Sequence, residues 1–288
     1  MKGFNQLERC LLCNSDWLLP LKGYHDHYLV KCSNCQFVFC KRKPESEELL
    51  NHYQHYPRAN TISPITIKRY DQLLDTFEKF RKNNKIIDVG CGDGYFLEVA
   101  RMRNWDVYGT EFTHEAVRIC ELKGIQMCLG SLHPENYEKD FFDIITSFEV
   151  IEHINEPRRE VEAFDRILRR GGIVYVTTPN FNSISRNLMG SHWNIIEYPE
   201  HLSYYTPRTL KKLFLDNHFK LVSLTASGIS FNRLKQKMPL TASAVNTDEN
   251  LRERIETNFV LGTLKGVVNS LLNFFGKGDG LKAYFQKL

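Results

Sequence analysis

From Lys85 onward, short apolar runs alternate with stretches that carry apolar residues at helical spacing. Lys85 to Gly90 reads as a first strand and Tyr95 to Arg103 as its helix; Asp106 to Glu111 and Thr113 to Lys123 repeat the unit. Ile125 to Gly130, Phe142 to Phe148 and Ile173 to Thr178 are the next three strands, with a helix over Pro157 to Arg169. Pro207 to Asn217 is helical, with Thr206 as cap and Pro207 near the helix start, and Phe219 to Ala226 is a sixth strand. Strand–helix alternation of this kind predicts an α/β domain, doubly wound, with a parallel sheet covered on both faces.

The chain ahead of Lys85 has a different texture. Cys10-x-x-Cys13 and Cys32-x-x-Cys35 stand 18 residues apart, the spacing of a four-cysteine zinc site. Each C-x-x-C knuckle presents two thiolates to one side, and two knuckles close a tetrahedron around Zn²⁺. Tyr28 to Lys31 and Phe37 to Phe39 flank the second knuckle like short strands, as in a zinc ribbon. Four cysteines close the site, so His25, His27 and Cys40 are bystanders and the metal is structural. The expected units are therefore a zinc-ribbon module over 1–42, a helical connector over 43–84 and the α/β domain over 85–288. The connector holds Leu49, Leu50, Tyr53 and Tyr56, then a helix from Ile67 to Phe80 with Tyr70, Leu73, Leu74, Phe77 and Phe80 on one stripe; core packing is its plain reading.

Composition narrows the class only a little. The 288 residues are 42% hydrophobic and 25% charged, ordinary for a globular chain, and the net charge of +4 is scattered. No Lys/Arg block resembles a nucleic-acid arm, so nucleic acid is not the expected partner. The N-terminus lacks a signal-peptide core, and the apolar run from Phe259 to Phe275 is broken by Lys265, Asn269 and Asn273 and is too short to span a bilayer. A cytoplasmic location follows, where eight cysteines stay reduced.

The chemistry concentrates in the first strand-to-helix turn, Asp88-Val-Gly90-Cys91-Gly92-Asp-Gly94. Alternate glycines let a ligand approach the backbone closely, and the helix N-terminus beyond favours negative charge. The G-x-G-x-G spacing and the preceding Asp88 depart from the dinucleotide fingerprint. Glu111 ends the second strand, where a carboxylate can accept from ribose hydroxyls.

With Tyr108-Gly-Thr-Glu111, Phe142-Asp-Ile-Ile-Thr-Ser-Phe-Glu-Val-Ile-Glu-His-Ile154 and Leu168-Arg-Arg-Gly-Gly-Ile-Val-Tyr-Val-Thr-Thr-Pro-Asn180 in order behind it, this turn resembles the class I S-adenosylmethionine (SAM)-dependent methyltransferases, in the ubiquinone-type O-methyltransferase branch. The likeness covers roughly Lys85 to Ala226. A zinc ribbon ahead of it is similar to bacterial methyltransferases of polysaccharide and modified-sugar pathways. It implies a Rossmann-like, seven-stranded sheet whose last, antiparallel strand is Gly278 to Gln286, with a helical insertion over 233–276 before it. It also implies that Gly90, Cys91, Gly92 and Gly94 line the methionine part of SAM, Asp88 helps hold the amino-acid end and Glu111 the ribose. Phe112, Ser131, Leu132, Phe148 and Glu149 complete the cofactor wall. The family often carries an acidic residue after the third strand for the adenine amine; Gly130-Ser131-Leu132 stands here instead, which hands that contact to the Leu132 backbone.

For the transfer itself, His153 in Glu149-Val-Ile-Glu152-His153 is the candidate base, and the alternative is a packing or capping role before the next helix. A third reading has Glu149, Glu152 and His153 hold a divalent cation. His201 is a second candidate base, and the aromatic-rich run containing His192, Trp193, Tyr198, Tyr204 and Tyr205 suits an acceptor pocket. The place after the fourth strand, Ser147-Phe148-Glu149-Val150, has neither the Asn/Asp-Pro-Pro-aromatic run of amino-directed nucleobase enzymes nor a cysteine nucleophile. The expected function is methyl transfer to a hydroxyl of a small-molecule or glycan acceptor. The alternatives are C-methylation of a nucleotide sugar, a zinc-ribbon rRNA methyltransferase and a non-catalytic SAM-binding protein. Within the insertion, Leu251, Ile255, Phe259, Leu264, Val268, Leu271, Leu272 and Phe275 fall at helical spacing, which suits core or dimer packing, a lid, or peripheral contact with a membrane-bound substrate.

Overall fold

The computed structural model describes residues 6–45, Glu48, 62–229 and 259–288. The connector positions Leu49, Leu50, Tyr53 and Tyr56 lie outside the described residues, as do Leu251 and Ile255 of the insertion.

The short apolar runs form the sheet that the strand–helix alternation predicts. Strands β4 (Lys85–Val89), β5 (Asp106–Glu111), β6 (Gln126–Leu129) and β7 (Phe142–Phe148) are parallel, and β8 (Leu168–Pro179) joins β7 in the same sense. β11 (Gly280–Lys287) inserts antiparallel between β8 and β10 (Phe219–Ser227). The 7-stranded order is β10-β11-β8-β7-β4-β5-β6. Central strands covered on both faces must be apolar throughout, and Ile86, Ile87, Ile144 and Ile145 are fully buried.

Helices α1 (Pro64–Glu78), α2 (Tyr95–Met102), α3 (His114–Leu122), α4 (Pro157–Ile167), α5 (Ile184–Met189), α6 (Pro207–Leu215) and α7 (Phe259–Phe274) follow the amphipathic stretches. Their starts are chemically marked. Ser63, Thr113, Ser183 and Thr206 each accept a backbone N–H at the cap, and Pro64, Pro157 and Pro207 sit in the first turn, where a missing N–H costs nothing. On α1, Leu73, Leu74 and Phe77 are buried, as their spacing requires. The helix expected to run to Arg169 stops at Ile167, because Leu168 turns extended and pairs with Phe142. On α7, Leu272 is buried whereas Leu271 and Phe274 are exposed.

The cysteine module folds as β1 (Leu18–Pro20), β2 (Leu29–Cys32) and β3 (Val38–Cys40), and its sheet takes a fourth strand from far downstream. β9 (Ser203–Tyr204) pairs antiparallel with β3 through Val38↔Tyr204 and Phe39↔Ser203. One core cluster runs through both regions: Phe37 and Phe39, both fully buried, join Tyr205, Leu210 and Phe214. The Phe37 and Tyr205 rings are 5.2 Å apart. The small module therefore shares its apolar core with the large domain.

Candidate functional site

A cavity of about 1170 Å³ opens at the carboxyl ends of β4, β5 and β7, the position at which parallel sheets take ligands. Gly90, Cys91, Gly92, Glu111, Phe112, Ser131, Leu132, Phe148, Glu149 and His153 all line it. Thr110, Thr113, Tyr95 and Ala116, which the sequence did not single out, also stand on its wall.

The glycine turn is built for close approach. Gly92 has φ +55°, and a Cβ added there would meet nothing within 4 Å, so the open side is available to a ligand. A Cβ on Gly90 would stand 2.6 Å from Val150 Cγ2, so this position packs the turn against the loop after β7. Glu111 spans the turn: Oε2 accepts from the Gly92 N–H at 3.0 Å and Oε1 from the Phe112 N–H at 2.6 Å. That pins the carboxylate at the mouth of β5 with lone pairs to spare for hydroxyl donors. An apolar-walled cavity, an open glycine and a held carboxylate fit the amino-acid and nucleoside parts of SAM.

Asp88 and Gly94 do not reach the wall. Asp88 is 3% exposed, beneath the turn, and its Oδ1 accepts from Thr146 Oγ1 at 2.7 Å. Burial pushes its carboxyl up to about 8, the Thr146 bond opposes this, and Glu111 adds to it. Asp88 thus supports the turn from below. At Gly94 a Cβ would lie 2.7 Å from Cys120 Sγ and Ile125 Cδ1, so its role is the packing of α2 against α3.

At the other end of the cavity, His153 Nδ1 lies 2.7 Å from the Glu200 carbonyl. A carbonyl can only accept, so Nδ1 carries a proton, and in the neutral ring the lone pair is then on Nε2. Nε2 is 4.0 Å from Glu152 Oε1, and the His201 ring lies 4.7 Å from the His153 ring, tilted by 34°. Glu152 is 2% exposed; its Oε2 accepts from Thr178 Oγ1 at 2.9 Å, and burial followed by the Glu149 charge holds its carboxyl well above the usual range. Its backbone carbonyl accepts from the Leu202 and Ser203 N–H groups, both at 2.9 Å, and the Cys40 N–H donates to the Leu202 carbonyl at 2.8 Å. The loop carrying His201 is thus clamped between β7 and the cysteine module. Glu152, His153 and His201 each bring one ligand atom within 4.8 Å of the others; Glu149, named for such a set from sequence, is replaced in it by His201.

The aromatic run behaves otherwise than expected. Trp193, Tyr204 and Tyr205 are 1%, 4% and 0% exposed, and neither they nor His192 and Tyr198 line the cavity. Trp193 and Tyr204 pack around Phe181, Tyr205 against Phe37, and Tyr198 against Tyr28 and Arg42. Each buried aromatic hides about 150–250 Å², worth roughly 4–6 kcal/mol at ~25 cal/mol per Å². Turning one out to meet an acceptor would forfeit that burial, so these rings are core and the substrate reading of them is corrected. His201, though 8% exposed and off the cavity wall, remains beside His153.

The four module thiols converge. Cys10 Sγ is 3.4 Å from Cys35 Sγ and Cys13 Sγ is 3.5 Å from Cys32 Sγ, with all four within 4.8 Å of one another. A tetrahedral zinc with bonds of about 2.3 Å needs sulfurs about 3.8 Å apart, so the donor set fits the ion. Cys40 is not of this set; it is buried and its thiol is pushed up to about 11. Among the described residues no helix is long and apolar enough to cross a membrane.

The fold and the cavity together define a class I SAM-dependent methyltransferase. In comparison with known families, residues 53–224 match the Methyltransferase domain, and the chain belongs to that family. It is 24% identical over 217 residues to the ubiquinone biosynthesis O-methyltransferase of Shewanella sp. (strain ANA-3), covering 71% of this chain and 85% of that one. The enzyme of the same name from Alkalilimnicola ehrlichii is 25% identical over 233 residues, covering 76% and 88%. Among solved structures, a SAM-dependent methyltransferase from Archaeoglobus fulgidus superposes with a TM-score of 0.54 at 15% identity over 84% of this chain and 100% of that one. A geranyl diphosphate C-methyltransferase from Streptomyces coelicolor A3(2), solved with Mg²⁺, geranyl diphosphate and S-adenosylhomocysteine, gives 0.52 at 12% identity over 77% and 79%. These two structures speak to the fold alone.

Proposed function

We propose that the enzyme methylates a hydroxyl oxygen of a small-molecule or glycan acceptor, with His153 as general base. One observation carries the proposal: His153 stands on the cavity wall with Nδ1 bonded to the Glu200 carbonyl, so that in the neutral ring Nε2 is the nitrogen able to accept. When bound, SAM supplies an electrophilic methyl group on a sulfonium. Gly90, Gly92 and Glu111 hold the cofactor end, so that the acceptor has only to be aligned, and alignment alone is worth roughly 7–11 kcal/mol of the barrier. His153 Nε2 takes the hydroxyl proton, which is worth about 10²–10⁴-fold in rate. The relatives named as O-methyltransferases support an oxygen acceptor.

A second reading has its own support. Glu152, His153 and His201 are a carboxylate and two imidazoles with the composition of a divalent-cation half-shell, which would orient an acceptor oxygen. The cysteine module is proposed to hold one structural Zn²⁺, on the convergence of its four thiols. Incubating the enzyme and isotope-labelled SAM with small-molecule and glycan extracts, followed by mass analysis, tests the acceptor class. Label on an oxygen of a small molecule or glycan supports the proposal; label on carbon or on RNA overturns it.

A further inference from the structure

The face of α4 holds an anomaly. Its buried residues are Pro157, Glu160, Val161, Ala163, Phe164 and Ile167, so a carboxyl group stands where the helical period asks for an apolar side chain. Glu160 is 9% exposed, and its Oε1 has no hydrogen-bond partner among the described residues. Neighbouring cations do not neutralise it: Arg159 Nη1 donates to Glu156 Oε2 at 2.6 Å and Arg166 Nη1 to the Pro134 carbonyl at 2.9 Å. Leaving a buried polar group unmade is costly, so such a group calls for a partner that arrives with a ligand.

Glu160 lines the same cavity as Glu111, Phe112 and Leu132. The cavity runs from the glycine turn past Glu111 to Leu132, and α4 forms the far wall there, tied to the turn Pro134–Asn136 by Arg166. A cofactor with its methionine part at the glycines and its ribose at Glu111 sends its base toward this end. The edge of adenine offers a 6-amino donor beside the N1 acceptor. A carboxyl group answers both, accepting from the amine and, when protonated, donating to N1.

We propose that Glu160 reads the adenine edge of SAM, supplying from α4 the acidic contact that the segment Gly130-Ser131-Leu132 lacks. Burial raises its carboxyl to about 7, which keeps the donating proton available near neutrality. The inference rests on the SAM reading of the cavity and assigns the residue that makes it specific for the base.

The test is calorimetric binding of S-adenosylhomocysteine and of its analogue lacking the 6-amino group, a purine-riboside thioether, to the full chain and to Glu160→Leu and Glu160→Gln, with thermal melting as the folding control. The analogue keeps N1 and removes the donor that the carboxyl accepts from. The wild type should prefer the amino ligand by about tenfold, the scale of leaving one buried acceptor unpaired. Glu160→Leu should bind the amino ligand about tenfold more weakly and distinguish the two by less than about threefold. Glu160→Gln, whose amide oxygen accepts from the amine and whose amide nitrogen donates to N1, should keep the amino ligand and the preference for it. Unchanged discrimination in Glu160→Leu, with the amino ligand still bound, overturns the role of Glu160 alone. A wild type that binds neither ligand overturns the cofactor site and this proposal together.

Discussion

The two ends of the cavity are built by different means. The cofactor end comes from contiguous chain: β4, its glycine turn and the last residue of β5, with Glu111 bonded to the Gly92 and Phe112 N–H groups. The acceptor end is assembled from segments nearly fifty residues apart, in which His153 is bonded to Glu200 and Glu152 to Leu202, and Leu202 in turn to Cys40 of the cysteine module. A local turn is stiff on its own. A clamp through three segments depends on each of them, so damage at the cysteine module should reach acceptor chemistry and spare cofactor binding.

The largest expected effect separates the ends outright. His153→Ala should lower kcat by about 10²–10⁴-fold while the dissociation constant of S-adenosylhomocysteine changes by less than about twofold. Parallel losses in both would show that the histidine holds the structure and not the proton. Glu111→Ala is the reciprocal case. Two ribose hydrogen bonds to a charged group, at ~1.5 kcal/mol or more each, predict about 100-fold weaker cofactor binding, read by calorimetry.

Zinc removal should come next. Stripping the metal with a chelator frees the knuckles that support β3, and β9 with the His201 loop should shift with it. A misplacement of ~1 Å costs up to about 10²-fold in rate, so turnover should fall about tenfold or more with cofactor affinity held within about twofold. Metal analysis of the untreated protein should give about one equivalent of zinc. Equal loss of cofactor affinity would place the module under both ends.

The smallest effect is on stability. The Asp88 carboxyl is raised to about 8 by burial, so between its unfolded value near 4 and pH 8 the folded chain binds the extra proton. Its contribution is complete at low pH and is lost as pH rises toward 8. Asp88→Asn keeps an acceptor for Thr146 and removes the titration. The melting temperature of the wild type should therefore fall relative to the variant between pH 5 and pH 8, and the gap should stop growing above that. A gap that is constant with pH would show that Asp88 is ionised throughout.

What the sequence made legible follows the same division. Strand and helix order could be read because Ile86, Ile87, Ile144 and Ile145 fill unbroken apolar runs, and because Thr113 and Thr206 mark helix starts. The glycine turn and Glu111 were legible because their geometry is local. The aromatic run was misread because a loop rich in Trp193, Tyr204 and Tyr205 has no period to say which way its rings point. Tyr204 is fixed by the pairing of β9 with β3, opposite Val38, 166 positions away, and no local pattern announces that register. Glu160 escaped notice although its signal was present, an acid on the buried stripe of α4. His201 beside His153 was invisible as a pair, since nothing in the sequence joins the two loops.

The central claim is that the cavity above the glycine turn binds SAM through Glu111. Titration of S-adenosylhomocysteine into the wild type, Gly90→Arg and Glu111→Ala tests it most directly. The account predicts one site per chain in the wild type, no measurable binding in Gly90→Arg, where even a Cβ would meet Val150 at 2.6 Å, and about 100-fold weaker binding in Glu111→Ala. Equal affinity in all three proteins would contradict it.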